Sequence, residues 1–77
     1  MIVIDSQSRQ PIYEQIVEHV ESLIAAGVMS QGEQLPSVRA LAVELSINPN
    51  TIQKAYAILE EHGAIYPVKG KGNFVSE

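Results

Sequence analysis

Residues 37–56 read SVRALAVELSINPNTIQKAY. Two helical patterns lie in this stretch, parted by the three residues Ser46-Ile47-Asn48. Val38, Leu41, Ala42 and Leu45 fall on one face of a helix predicted over about 38–45, and Arg39 points away from that face. Ser37 is placed to cap it, because its hydroxyl oxygen can accept a backbone N–H that helix geometry leaves without a partner. Asn48 is placed to do the same for a helix predicted over about 49–62, and Pro49 suits the first position, where an N–H is not needed. Ile52, Ala55, Tyr56 and Leu59 form the inner face of that helix; Asn50, Gln53, Lys54 and Ala57 form the outer one. Two helices joined by so short a turn make a helix-turn-helix. In that motif the second helix enters the major groove of a duplex and the first crosses behind it.

Upstream, Ile12, Ile16, Val20 and Leu23 recur at helical spacing, flanked by Tyr13, Val17 and Ile24. They predict a first helix over about 12–26, with Pro11 at its opening and Gly27 closing it in a left-handed conformation. Tyr13 and Tyr56 lie on apolar faces and are assigned to the core. Met1 to Asp5 reads as an edge strand, and Val28 to Pro36 as a connection. Downstream of Gly63, two β-prone runs flank Lys69-Gly70-Lys71-Gly72 and predict a hairpin over about 64–75. The fold class is therefore mainly α with a small antiparallel β wing, a winged helix-turn-helix occupying residues 1–77 as one domain.

The chain of 77 residues has no cysteine, so disulfides and thiolate metal sites are excluded, and a reducing cytoplasm is the expected compartment. No apolar run is long enough to span a membrane, and no signal peptide is present. The net charge of −4 argues against nucleic acid if taken whole. It is unevenly spread, however. Arg9 stands against Asp5, Glu14, Glu18, Glu21 and Glu33 in residues 1–33, whereas Arg39, Lys54, Lys69 and Lys71 outnumber Glu44, Glu60 and Glu61 over residues 34–76, and Glu77 adds the last negative charge. Local potential at a contact face steers binding more than the total does.

Near the start of a recognition helix, Asn50, Thr51, Gln53 and Lys54 are the residues expected to reach bases, since Asn and Gln pair with adenine and Lys donates to guanine. The helix N-terminus is expected to add free N–H groups suited to phosphate. Lys69 and Lys71, on a glycine-spaced tip, suit a phosphate backbone or a minor groove. The tip is no P-loop, because its glycines are too close together and no Ser or Thr follows a lysine.

Enzyme readings find no footing. His19 and His62 lack metal-ligand spacing, and the adjacent Glu60 and Glu61 diverge by about 100° on a helix. No serine has a nucleophile-elbow context. No catalytic residue, metal site or cofactor is expected. The alternative to a DNA-binding module is a winged helix that binds other proteins and never touches DNA.

The segments Pro11–Ile16, Gly32–Ala42, Asn48–Tyr56, Leu59–Gly63 and Gly70–Val75, taken in order, resemble the N-terminal domain of GntR-family bacterial transcription regulators. The Asn-Pro-Asn-Thr opening and the lead-in Met1–Asp5 are most similar to the YtrA-type branch. The resemblance implies a winged helix, operator binding as a homodimer, and usually repression. It carries DNA contacts onto Arg39, onto Asn48, Pro49, Asn50, Thr51 and Gln53, and onto Lys69, Gly70 and Lys71. With Ser37, Lys54 and Gly72 from the residue-level reading, these complete the candidate DNA-binding set. Many members carry arginine where this chain has Pro49 and Gln53, which implies fewer guanine contacts. Ser46 stands where glycine is common. Family members usually continue into an effector or dimerisation region, so the chain is expected to be either a fragment or a minimal module, with no effector assigned.

Overall fold

A computed structural model describes residues 3–76. Three helices, α1 (Ile12–Ala25), α2 (Val38–Leu45) and α3 (Pro49–Glu61), precede two strands, β1 (Ile65–Val68) and β2 (Gly72–Val75). The strands pair antiparallel, with Ile65 opposite Val75 and Val68 opposite Gly72. Ile16 and Val20 of α1, Leu41 of α2, Ile52 and Leu59 of α3, and Ile65 and Val75 of the hairpin are the largest side chains buried together. The predicted apolar faces of all three helices therefore meet in one core.

The helix boundaries follow from local chemistry. Pro11 sits one place before the first helical position expected for it, at the N-cap, where its carbonyl accepts the N–H groups of Glu14 and Gln15. The Ser37 hydroxyl accepts from Ala40 N–H at 3.0 Å, and Asn48 Oδ1 accepts from Asn50 N–H at 2.8 Å. Each helix closes with one bonding pattern. Val28 N–H reaches Leu23 O, Ile47 N–H reaches Ala42 O and Ala64 N–H reaches Leu59 O, while the residue before each donor turns left-handed.

That residue is glycine in α1 and α3 but Ser46 in α2, at φ 55°. A left-handed conformation costs a residue with a Cβ about 1–2 kcal/mol. Ser46→Gly is therefore expected to stabilise the domain by about 1 kcal/mol, raising the melting temperature by about 4–8 °C in a thermal scan. An unchanged or lower melting temperature would show that the serine is not strained.

One expectation is corrected. Val3, Ile4 and Asp5 form no strand, and Met1 and Ile2 of the expected strand lie outside the described residues. The arm has no strand neighbour because the side chain of Gln15, buried on α1, takes its place. Gln15 accepts from Asp5 N–H at 2.8 Å and donates to the carbonyls of Asp5 and Gln10. The connection after α1 lies along the hairpin. Gly32 N–H donates to Val75 O, Val75 N–H to Glu33 O and Leu35 N–H to Asn73 O. This strap is pinned by Met29 and Leu35, both buried.

Candidate nucleic-acid interface

The strap runs from the outer side of β2 into Pro36 and the cap of α2, so it joins the wing to the start of the helix-turn-helix. Arg39 lies on the first turn of α2, exposed. Beside it, the N–H groups of Val38 and Arg39 have no acceptor among the described residues, because the Ser37 cap serves Ala40 and Leu41. Ser37 keeps its hydroxyl proton free to donate.

The start of α3 differs from expectation. Pro49 has no N–H, Asn48 Oδ1 takes that of Asn50, and Asn48 O takes that of Thr51 at 3.0 Å. None of the first three helical positions is left with a free N–H for a phosphate. Asn48 and Pro49 shape the helix start, and the side chains that stand outward are Asn50 and Gln53; Thr51 is half-buried.

Lys54 is also placed differently. Its Nζ lies 4.0 Å from the centroid of the Tyr13 ring on α1. A cation over an aromatic face is held by the ring quadrupole. The lysine thus leans along the flank of α3 toward α1 instead of standing free on the outer face of the helix. Tyr13 remains half-buried beneath it, packed at the edge of the core.

Lys69, Gly70 and Lys71 are exposed at the hairpin tip. Lys71 N–H donates to Val68 O at 2.9 Å, and Gly70 has the positive φ of 79° that a type II turn needs at its third residue. Among the described residues the one contact between a basic and an acidic side chain is the hydrogen bond between His62 Nδ1 and Glu21 Oε2 at 2.8 Å, on the α1–α3 side. Arg39, Lys69 and Lys71 consequently have no carboxylate partner there. No group of three metal-ligating side chains occurs among the described residues, and no helix is long and apolar enough to cross a membrane.

Sequence reasoning missed two residues that hold these parts together. Gln34 of the strap bonds to the wing tip. Tyr56, read only as core, is buried, but its hydroxyl also donates to Pro36 O at 2.8 Å and so ties α3 to the approach to α2. An apolar face gives no sign of a hydroxyl's distant acceptor.

Burial, and then the Glu44 carboxylate, push the Tyr56 hydroxyl up to about 12 from its ordinary 10. The folded state holds this proton more tightly than the unfolded one. Its contribution is therefore complete below pH 10 and is lost as pH rises through 12. At pH 7, Tyr56→Phe should cost about 1 kcal/mol for the lost hydrogen bond. Urea titrations of both proteins should show this gap closing and then inverting between pH 10 and 12. A gap constant across that range would mean that the hydroxyl does not feel its burial.

With this geometry in view, comparison with known proteins is specific. Residues 12–75 match the model of bacterial regulatory proteins of the gntR family. The HTH-type transcriptional repressor YtrA of Bacillus subtilis is 48% identical over 77 residues, which is 100% of this chain and 59% of that protein. YtrA from Sulfolobus acidocaldarius, a GntR-family transcription factor, superimposes with a TM-score of 0.93 at 41% identity, over 99% of this chain and 80% of that one. The DNA-binding domain of AraR, solved in complex with operator ORR3, superimposes with a TM-score of 0.82 at 30% identity, over 96% of this chain and 89% of that one. The chain thus spans 59% of the length of the Bacillus relative.

Proposed function

The chain belongs to the GntR family of bacterial regulatory proteins, on its YtrA-type branch, and from that premise we propose that it binds duplex DNA sequence-specifically as the reading head of a transcription regulator. In this reading α3 lies in the major groove and presents Asn50, Thr51 and Gln53 to base edges. Ser37, Arg39 and the free N–H groups at the start of α2 take a phosphate on one side, and Lys69–Gly70–Lys71–Gly72 takes the backbone or the minor groove on the other. Lys54, held against Tyr13, contributes charge at the flank of the helix. Asn48 and Pro49 act through the helix start they build.

The observation that carries the reading is the set of unpaired cations. Arg39, Lys69 and Lys71 lack carboxylate partners among the described residues and sit on the two elements that the strap joins. The acidic residues of α1, Glu14, Glu18 and Glu21, add to the negative total without pairing with them among the described residues. The operator complex of the related AraR domain supports DNA over a protein-only role. The names of the relatives support repression and no catalytic role; to this the proposal adds homodimeric binding to a two-fold operator and a cytoplasmic setting.

Selection of bound sequences from a random duplex pool, followed by anisotropy across a salt series, tests this. The selected duplex should bind more tightly than random duplex, with log affinity falling by about 0.9 per neutralised phosphate for each decade of salt. Gln53→Ala should alter the selected sequence, whereas Lys71→Ala should weaken all sequences alike. A flat salt dependence, or no enrichment, would leave the protein-only role standing.

A further inference from the structure

One side chain ties the hairpin tip to the strap. Gln34 is bridged to Phe74 of β2, and its Nε2 donates to Lys71 O at 2.7 Å. On the way the amide crosses Gly72, where a Cβ would lie 3.0 Å from Nε2. At Gly27, Gly32, Gly63 and Gly70 a Cβ would meet nothing within 4 Å. Gly72 is therefore the glycine whose missing side chain leaves room for a neighbour, and that neighbour is Gln34. The bond from Lys71 N–H to Val68 O closes the turn on itself without aiming it at the helices. Gln34 supplies the aim. Its backbone continues through Leu35 and Pro36 to the Ser37 cap and Arg39, and Pro36 O holds Tyr56 of α3.

We propose that Gln34 is a positioning residue for DNA binding, fixing the direction of the Lys69–Lys71 tip relative to α2 and α3 so that both lysines and Arg39 meet one duplex. This rests on the DNA reading above. Gln34 is exposed and carries no charge, so it acts through the lysines and contributes no phosphate neutralisation of its own. A glycine that opens the path and an amide that uses it form one device, in which the strap sets the wing.

The test uses Gln34→Met, which keeps the length and removes the donor, and Gln34→Ala. Without DNA, Lys71 N–H should exchange with solvent about fivefold faster in Gln34→Met, the worth of one net hydrogen bond, and the melting temperature should fall by no more than the about 4–8 °C that one such bond is worth. With the selected duplex, affinity at 0.1 M salt should fall about eightfold and the salt slope should shrink by about 0.9, one phosphate contact. In a Lys69→Ala/Lys71→Ala background, Gln34→Met should cost nothing further. Wild-type exchange at Lys71 overturns the proposal. So does a loss repeated in full without the lysines, which would make Gln34 an independent DNA contact. Should Gln34→Ala fold poorly, Gln34→Met and the exchange measurement still decide. Failure of the wild-type protein to bind duplex sinks the DNA reading, and a normal exchange pattern for wild type beside a fast one for Gln34→Met would then show that Gln34 holds the tip in a protein with another partner.

Discussion

Replacing Arg39, Lys69 and Lys71 together with alanine is expected to weaken duplex binding about 500-fold at 0.1 M salt. The figure follows from counterion release. Each phosphate neutralised adds about 0.9 to the slope of log affinity against log salt, so three contacts add about 2.7. Extrapolated to about 1 M salt, where this contribution vanishes, the triple variant and the wild type should converge. Anisotropy from 0.05 to 1 M salt would show two lines of different slope meeting at the high end. Parallel lines would mean that these cations do not neutralise phosphates. Stability should change little, because all three side chains are exposed and have no carboxylate partner among the described residues. The total charge becomes more negative, which is why the slope and not the affinity alone is the decisive reading.

The parts of this site that were legible in the sequence are those governed by neighbours close along the chain. Ser37, Asn48 and Pro49 start their helices by bonds or missing donors that span a few residues. Gly27 and Gly63 end theirs by a backbone conformation that the residue type announces. The lysine-bearing tip of the wing showed itself by its alternation with glycine. What stayed hidden depends on partners far along the chain. The Tyr56 hydroxyl finds Pro36, Gln34 finds Lys71 and Lys54 finds Tyr13. Each of these side chains reads locally as core or as solvated surface, and only the packing supplies the partner. The strap was hidden for a related reason. Gln31-Gly32 and Pro36 look like loop residues at either end, and only three ladder bonds to β2 give the segment its strand character. The start of α3 failed in the opposite way. The same cap that made the helix legible takes up the N–H groups expected for phosphate, whereas those of Val38 and Arg39 at the start of α2 have no acceptor among the described residues.

Leu59→Ala is expected to have the largest effect on stability and almost none on binding by the folded protein. Leu59 is fully buried, near the end of α3, and its carbonyl also accepts Ala64 N–H where the chain leaves for the wing. Removing a buried leucine side chain costs about 3 kcal/mol, partly lost transfer energy and partly the cavity left behind. A small domain has a total of roughly 5–15 kcal/mol to lose, and the melting temperature should fall by about 12–24 °C. The transition should stay single, since one core unites all three helices and the hairpin. Loss of the wing alone, with the helices still folded, would show instead that the hairpin is a separate cooperative unit. Measured well below its own melting temperature, the variant should keep the wild-type salt slope, because the cations and Gln53 lie outside the core. Arg39, Lys69 and Lys71 would then carry binding without stability, and Leu59 stability without binding. Gln34 and Tyr56 stand between these two classes, because their hydrogen bonds tie the wing tip to the strap and α3 to the approach to α2. A variant of either that changed the slope at constant stability would act through position alone, which neither the leucine nor the cations can imitate.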